Sequence, residues 1–192
     1  TKEMTTPEDM KGFKLRAPNL DVYLKTWQYI GAAPMPLAMS EVYTALQQHT
    51  VEGQENPMSD SYNYAFQEVC KYWIKTNHVY SANVFIMDRD YFNSLPEDIQ
   101  AAAIEASEYA SDQMNSLMLD REAETEQKLI DSGCTVLEVD TQEFIDYYAD
   151  FVDTYYPELS DWANRIKAMD PNLEGAAEQE ETVQDDAAEG TA

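Results

Sequence analysis

The chain has 192 residues, 44% of them hydrophobic, with 12 Lys and Arg against 37 Asp and Glu for a formal charge of −25. That length suits one domain, or one domain and part of a second, with enough apolar content for a core. So negative a surface repels nucleic acid and anionic lipid, which need clustered cations, and no apolar run is long enough to cross a bilayer.

In chain order, PEDMKG reads as a turn, and residues 13–17 read as a short strand stopped by Pro18. In DVYLKTWQYIGA, Val22, Leu24, Trp27 and Ile30 recur at helical spacing, with Gly31 placed to close the helix. Tyr23 and Trp27 read as core. APMPLAM reads as an extended segment, its prolines suiting a sheet edge. Ser40 is the expected N-cap of a helix through SEVYTALQQHT, with Glu41 in its first turn. After the loop GQENP comes a helical stretch over residues 59–69, and then KYWIKTNHVYSANVFIMD, whose aromatic and β-branched residues predict strands.

The longest predicted element starts at LPEDIQ and runs to Asp131 without proline or glycine beyond Pro96. Its Ile99, Ala103, Ala106, Ala110, Met114 and Leu117 fall three and four residues apart. Some 35 residues span roughly 50 Å, longer than a small domain is wide, and the shifting apolar stripe favours a bridge between lobes over a coiled coil. Gly133 ends this helix, CTVLEVD reads as a strand, and TQEFIDYYADFVDTYY and ELSDWANRIKAM read as helices. The tail over residues 171–192 holds seven acidic residues, no basic ones and little that is bulky, a composition that predicts disorder. Alternation of helix and strand makes the class α/β.

Little in the chain points to catalysis. GxSxG, P-loop, GxGxxG and HExxH are all absent, and with 37 carboxylates chance pairs carry no signal. Cys70 and Cys134 lack ligand spacing and read as buried, unpaired thiols, with a disulfide open to them in an oxidising compartment. His49 and His78 show no metal grouping, so neither metal nor cofactor is expected. The informative segment is KLRAPN. Arg16 stands at the end of a predicted strand, where ligands gather in α/β sheets, and its planar fork suits a carboxylate. A surface ion pair is the alternative for that arginine.

KGFKLRAPN, GAAPMPLAMSEVYTALQQHTVEGQENP, the TNH at residues 76–78 and YFNSLPEDIQ together resemble the solute-binding proteins of TRAP (tripartite ATP-independent periplasmic) transporters, dicarboxylate-type branch. The resemblance runs in order from about residue 7 to about residue 156. It implies an incomplete two-lobe fold of periplasmic-binding-protein type: the C-terminal part, without the signal and most of the first lobe. Residues 1–81 would belong to the second lobe, 82–121 would return to the first lobe and begin the bridging helix, and 122–170 would complete the second lobe. It further implies capture of a small organic acid without chemistry, TRAP membrane subunits as partners, no nucleic acid, and a monomer at full length. The location would be periplasmic, or a lipoprotein on the outer face of the membrane. Arg16 matches the arginine that pairs with the ligand carboxylate, and Asn19 and Asn56 match cleft positions. Met39 stands where an aromatic side chain is usual, and His78 matches a position near the cleft's water network. A ligand-sensing module is the alternative function, and an acidic hydrolase fragment a more distant one.

Overall fold

The computed structural model describes residues 2–80 and 82–169, and the chain divides into two units, Thr1–Phe144 and Ile145–Ala192. The expectation of disorder over residues 171–192 lies outside the described residues.

In the first unit, β1 (Lys14–Ala17) buries Leu15, Arg16 and Ala17, and Pro18 then ends it. The helix α1 (Asp21–Tyr29) begins with Asp21 at its positive end. It closes where Gly31 turns to φ +86, a left-handed conformation that costs glycine nothing, and where the Ala32 N–H donates back to the Trp27 carbonyl at 3.0 Å. Next, β2 (Ala33–Pro36) pairs in parallel with β1. After α2 (Met39–Gln47), β3 (Gly53–Gln54) adds in parallel to the other side of β1, giving the order β2-β1-β3. The chain therefore changes its direction of strand addition between β1 and β3, and β2 takes the edge that its prolines suit.

A second parallel pair joins β4 (Tyr72–Lys75) to β5 (Thr135–Glu138), in register from Tyr72↔Thr135 to Lys75↔Glu138. Lys75 Nζ ties the pair to the intervening helix by reaching Glu138 at 2.6 Å and Glu126 at 3.1 Å. Between these strands lie α4 (Arg89–Ser94) and α5 (Glu97–Asp131). One core unites Val42 and Leu46 of α2, Val51, Phe66, Trp73 of β4 and Leu129 of α5. Each such side chain contributes about 1.5–3 kcal/mol through burial.

The structure corrects several local expectations and adds a helix. The helix α2 starts at Met39 rather than after Ser40, because Glu41 reaches back to accept the Ala38 N–H at 3.1 Å and fixes Ala38 as the cap. Residues 59–69 do not form one helix: α3 (Met58–Asn63) stops, Ala65 turns left-handed at φ +59, and a short 3-10 turn (Phe66–Glu68) follows, which buries Phe66. Strand structure ends at Lys75, and Val84, Phe85, Ile86 and Met87 are exposed and lie in no strand. A strand exists only against a neighbour, and among the described residues none pairs with this segment. The helix α4, capped by Asp88 Oδ1 on the Tyr91 N–H at 2.8 Å, is an element the sequence reading did not assign. The helix α5 begins at Glu97, with Pro96 of LPEDIQ as its cap. Residues 141–156 split into α6 (Thr141–Tyr147) and α7 (Phe151–Tyr155), where tight turns from Ala149 N–H to the Asp146 carbonyl and from Phe151 N–H to the Tyr148 carbonyl interrupt the α-pattern.

Within the second unit, Phe151 gathers Tyr148, Tyr155 and Tyr156 at ring distances of 5.7, 5.3 and 6.0 Å. Ser160 donates its hydroxyl to Asp153 Oδ1 at the start of α8 (Ser160–Ala168), where Arg165 lies 4.6 Å over the Trp162 ring.

Candidate ligand-binding site

Arg16, Asn19, Met39, Asn56 and His78 all lie at or just beyond the carboxyl ends of β1, β2, β3 and β4. In the first sheet all pairings are parallel, so these ends share one edge, and strand addition reverses between β1 and β3, the kind of switch point at which α/β sheets take ligands. Arg16 and the residues that follow β3 stand at that switch point.

Arg16 is only 5% exposed, although it is charged. Its Nε donates to the Leu37 carbonyl at 3.0 Å, which fixes the plane of the guanidinium. Burial pulls its pKa down and the Glu55 carboxylate pushes back, but an arginine starts so high that it stays charged. Among the described residues no carboxylate comes within ion-pairing distance of it. The surface ion pair that is the alternative reading of this arginine is therefore not what the fold builds.

Glu55, which sequence reasoning missed, is an acid whose charge acts on Arg16, its side chain 10% exposed. It faces His78, with Oε2 3.6 Å from Nε2. The other ring nitrogen, Nδ1, meets the Thr76 hydroxyl at 2.7 Å, and the ring stands edge-on to Trp27 at 4.9 Å. Trp27 is thus core, as its spacing predicts, and also the wall that seats His78. Asn56 is held from its own strand end: its Nδ2 donates to Gln54 Oε1 at 2.7 Å, and Gln54 Nε2 donates to the buried Ser61 hydroxyl at 3.0 Å. Asn19 is exposed on the bend after β1. Met39 is half-buried and packs on the core cluster with Met35 and Leu37. The structure thus sets Glu55 against His78, lets its charge act on Arg16, places Asn56 beside it in sequence, and leaves Asn19 and Met39 apart from that set. Among the described residues no group of three or more His, Cys, Asp or Glu is arranged to hold a metal. No signal in the sequence marked Glu55, because only the pairing of β3 with β1 brings its loop beside Arg16.

Over residues 1–158 the chain matches the family described as bacterial extracellular solute-binding protein, family 7. It belongs to that family. A solute-binding protein of Roseobacter denitrificans is 36% identical to it over 143 residues, covering 74% of this chain and 44% of its own length. The 2,3-diketo-L-gulonate-binding periplasmic protein of Escherichia coli is 30% identical over 171 residues, 86% of this chain and 51% of that protein. A solved TRAP periplasmic solute-binding protein of Roseobacter denitrificans with bound L-galactonate is similar at a TM-score of 0.70 and 32% identity, over 85% of this chain and 55% of that one. The family 7 chain described here spans about half the length of the relatives it matches. The resemblance to TRAP solute-binding proteins is borne out, as is the incomplete two-lobe α/β fold. Members of family 7 bind substrates and are not enzymes, which removes the hydrolase alternative.

Proposed function

We propose that this chain supplies the arginine-bearing lobe of an extracytoplasmic solute-binding protein that captures a small organic acid for a TRAP transporter. The observation that carries this reading is the buried guanidinium of Arg16 with no carboxylate in pairing range among the described residues. A charge withdrawn from water is costly unless paired, and a ligand carboxylate pairs it with two parallel bonds. Asn56, oriented by Gln54, and Asn19, on the neighbouring bend, supply amides for the ligand's remaining oxygens. Met39 offers an apolar wall, and His78 acts through Glu55.

Relatives point to the ligand class. One binds 2,3-diketo-L-gulonate, one is a C4-dicarboxylate-binding protein, and solved relatives hold L-galactonate or β-D-galacturonate. Sugar acids are therefore the first ligands to try. Residues 1–81 and 122–170 form the second lobe in this reading, and 82–121 pass through the first. The exposed Val84, Phe85, Ile86 and Met87, and Ile99, Ile104 and Leu117 on α5, support that division, since a first lobe would cover them. The intact protein acts as a monomer that closes by a hinge and hands its ligand to membrane subunits, either free in the periplasm or lipid-anchored on the outer face.

Isothermal titration of the complete two-lobed protein with L-galactonate, D-galacturonate, 2,3-diketo-L-gulonate and succinate tests this. At least one binds, and Arg16→Ala weakens that binding by about 2–5 kcal/mol, roughly thirtyfold or more. A loss under tenfold would remove Arg16 from the site.

A further inference from the structure

Cys70 and Cys134 are 8% and 7% exposed and belong to one core cluster, although 64 residues separate them in sequence. Cys70 follows the 3-10 turn that leads into β4, and Cys134 follows α5 and leads into β5. These strands pair in parallel from Tyr72↔Thr135, and the Thr135 N–H already donates to the Lys71 carbonyl at 2.8 Å. The two cysteines therefore stand at the same end of the pair, one residue out of step. Neither is bonded to the other in this structure. Cys134 Sγ itself lies 3.5 Å from the Cys70 carbonyl oxygen. Burial pushes the Cys70 thiol pKa up, and the proximity of Cys134 pushes it further.

Family 7 proteins are extracellular, in compartments where disulfides persist. We propose that Cys70 and Cys134 form an intramolecular disulfide once the protein leaves the cytoplasm. The oxidant is a disulfide-bearing thiol oxidoreductase. The thiolate of one cysteine attacks its disulfide to give a mixed disulfide. The thiolate of the other then displaces the oxidant, which leaves as a dithiol carrying the two electrons and two protons that the pair has lost. A buried thiol with a raised pKa is a poor nucleophile, so the exchange takes place during folding, before the core closes. The bond staples β4 to β5 where the chain leaves this core and where it returns, on either side of α4 and α5.

Peptide mapping tests the proposal without reference to any ligand. The protein is taken from an extracytoplasmic fraction, denatured in the presence of an alkylating agent, and digested with trypsin before and after reduction. The expected result is a linked pair of peptides covering residues 26–71 and 129–165, with no label on either cysteine until reduction and one on each afterwards. Closing a loop of that length also makes the Tm fall on reduction by on the order of 10 °C. A double Cys70→Ser, Cys134→Ser variant loses that sensitivity to reductant. Two labelled cysteines before reduction, or a bond between two chains, would overturn the proposal. The map of the unaltered protein decides the matter even where the double variant fails to fold.

Discussion

Asp9 Oδ2 accepts the Thr5 N–H at 3.0 Å, the Thr6 N–H at 3.1 Å and the Thr6 hydroxyl at 3.0 Å. The Thr5 amide, then the Thr6 hydroxyl and amide, hold its pKa below the ordinary carboxylate value. The folded state therefore releases this proton more readily than the unfolded one. Its contribution is complete above the unfolded pKa and vanishes as pH falls through the lower, folded value. Asp9→Asn should accordingly lower the Tm at neutral pH, and the gap to the unaltered protein should close in strong acid. Thermal melts across an acid series check this, and a gap that does not depend on pH would count against it. Arg16 illustrates a different residue-level lesson. Its type and its place before Pro18 are plain in the sequence, but its burial and its Leu37 contact depend on how β1 and β2 pair. Glu55, one acid among 37, has nothing in its local sequence to mark it out.

The elements form where local signals and neighbours agree. Gly31 and Gly133 stop α1 and α5 in left-handed turns, as their positions in the sequence predict. Gly53 is different: it is not left-handed, and what demands glycine there is close approach. A Cβ at Gly53 would meet the Phe13 ring at 2.6 and 2.8 Å. That ring is buried, with little room to turn aside, so Gly53→Ala pushes β3 away from it and costs about 1–3 kcal/mol. Urea denaturation of the variant measures this, and an unchanged midpoint would show that the strands absorb the methyl group. Displacing β3 also moves Glu55 and Asn56, so ligand affinity should fall with stability. Residues 59–69 and 141–156 show the limit of periodicity, which places apolar residues on a face but does not reveal a break of one or two residues.

At the scale of the molecule, α5 is asymmetric: Thr125 and Leu129 near its C-terminal end are its only buried residues, and everything from Glu97 to Glu124 is exposed or half-exposed. Leu129 is fully buried in the core shared with Phe66 and Trp73, so Leu129→Ala should cost about 2–5 kcal/mol in the isolated chain and in the two-lobed protein alike. Ile86 is 89% exposed, so Ile86→Asp in the isolated chain should stay within about 0.5 kcal/mol. In the two-lobed protein the same change should destabilise far more, because a first lobe would then bury the charge. Equal effects of Ile86→Asp in both forms, read from denaturation midpoints, would argue against the return of residues 82–121 to a first lobe.

By itself the sequence determined the α/β class, the long helix, the strand that carries Arg16 and the absence of catalytic motifs. Each of these is written in spacing and residue type within a few consecutive positions. Only the tertiary structure decided that Arg16 is buried, that Glu55 stands by it and His78, that Cys70 and Cys134 share a core, and that residues 82–87 form no strand. Strand order brings positions tens of residues apart to one sheet edge. Burial and pairing depend on what that order places alongside, which no local stretch of sequence encodes.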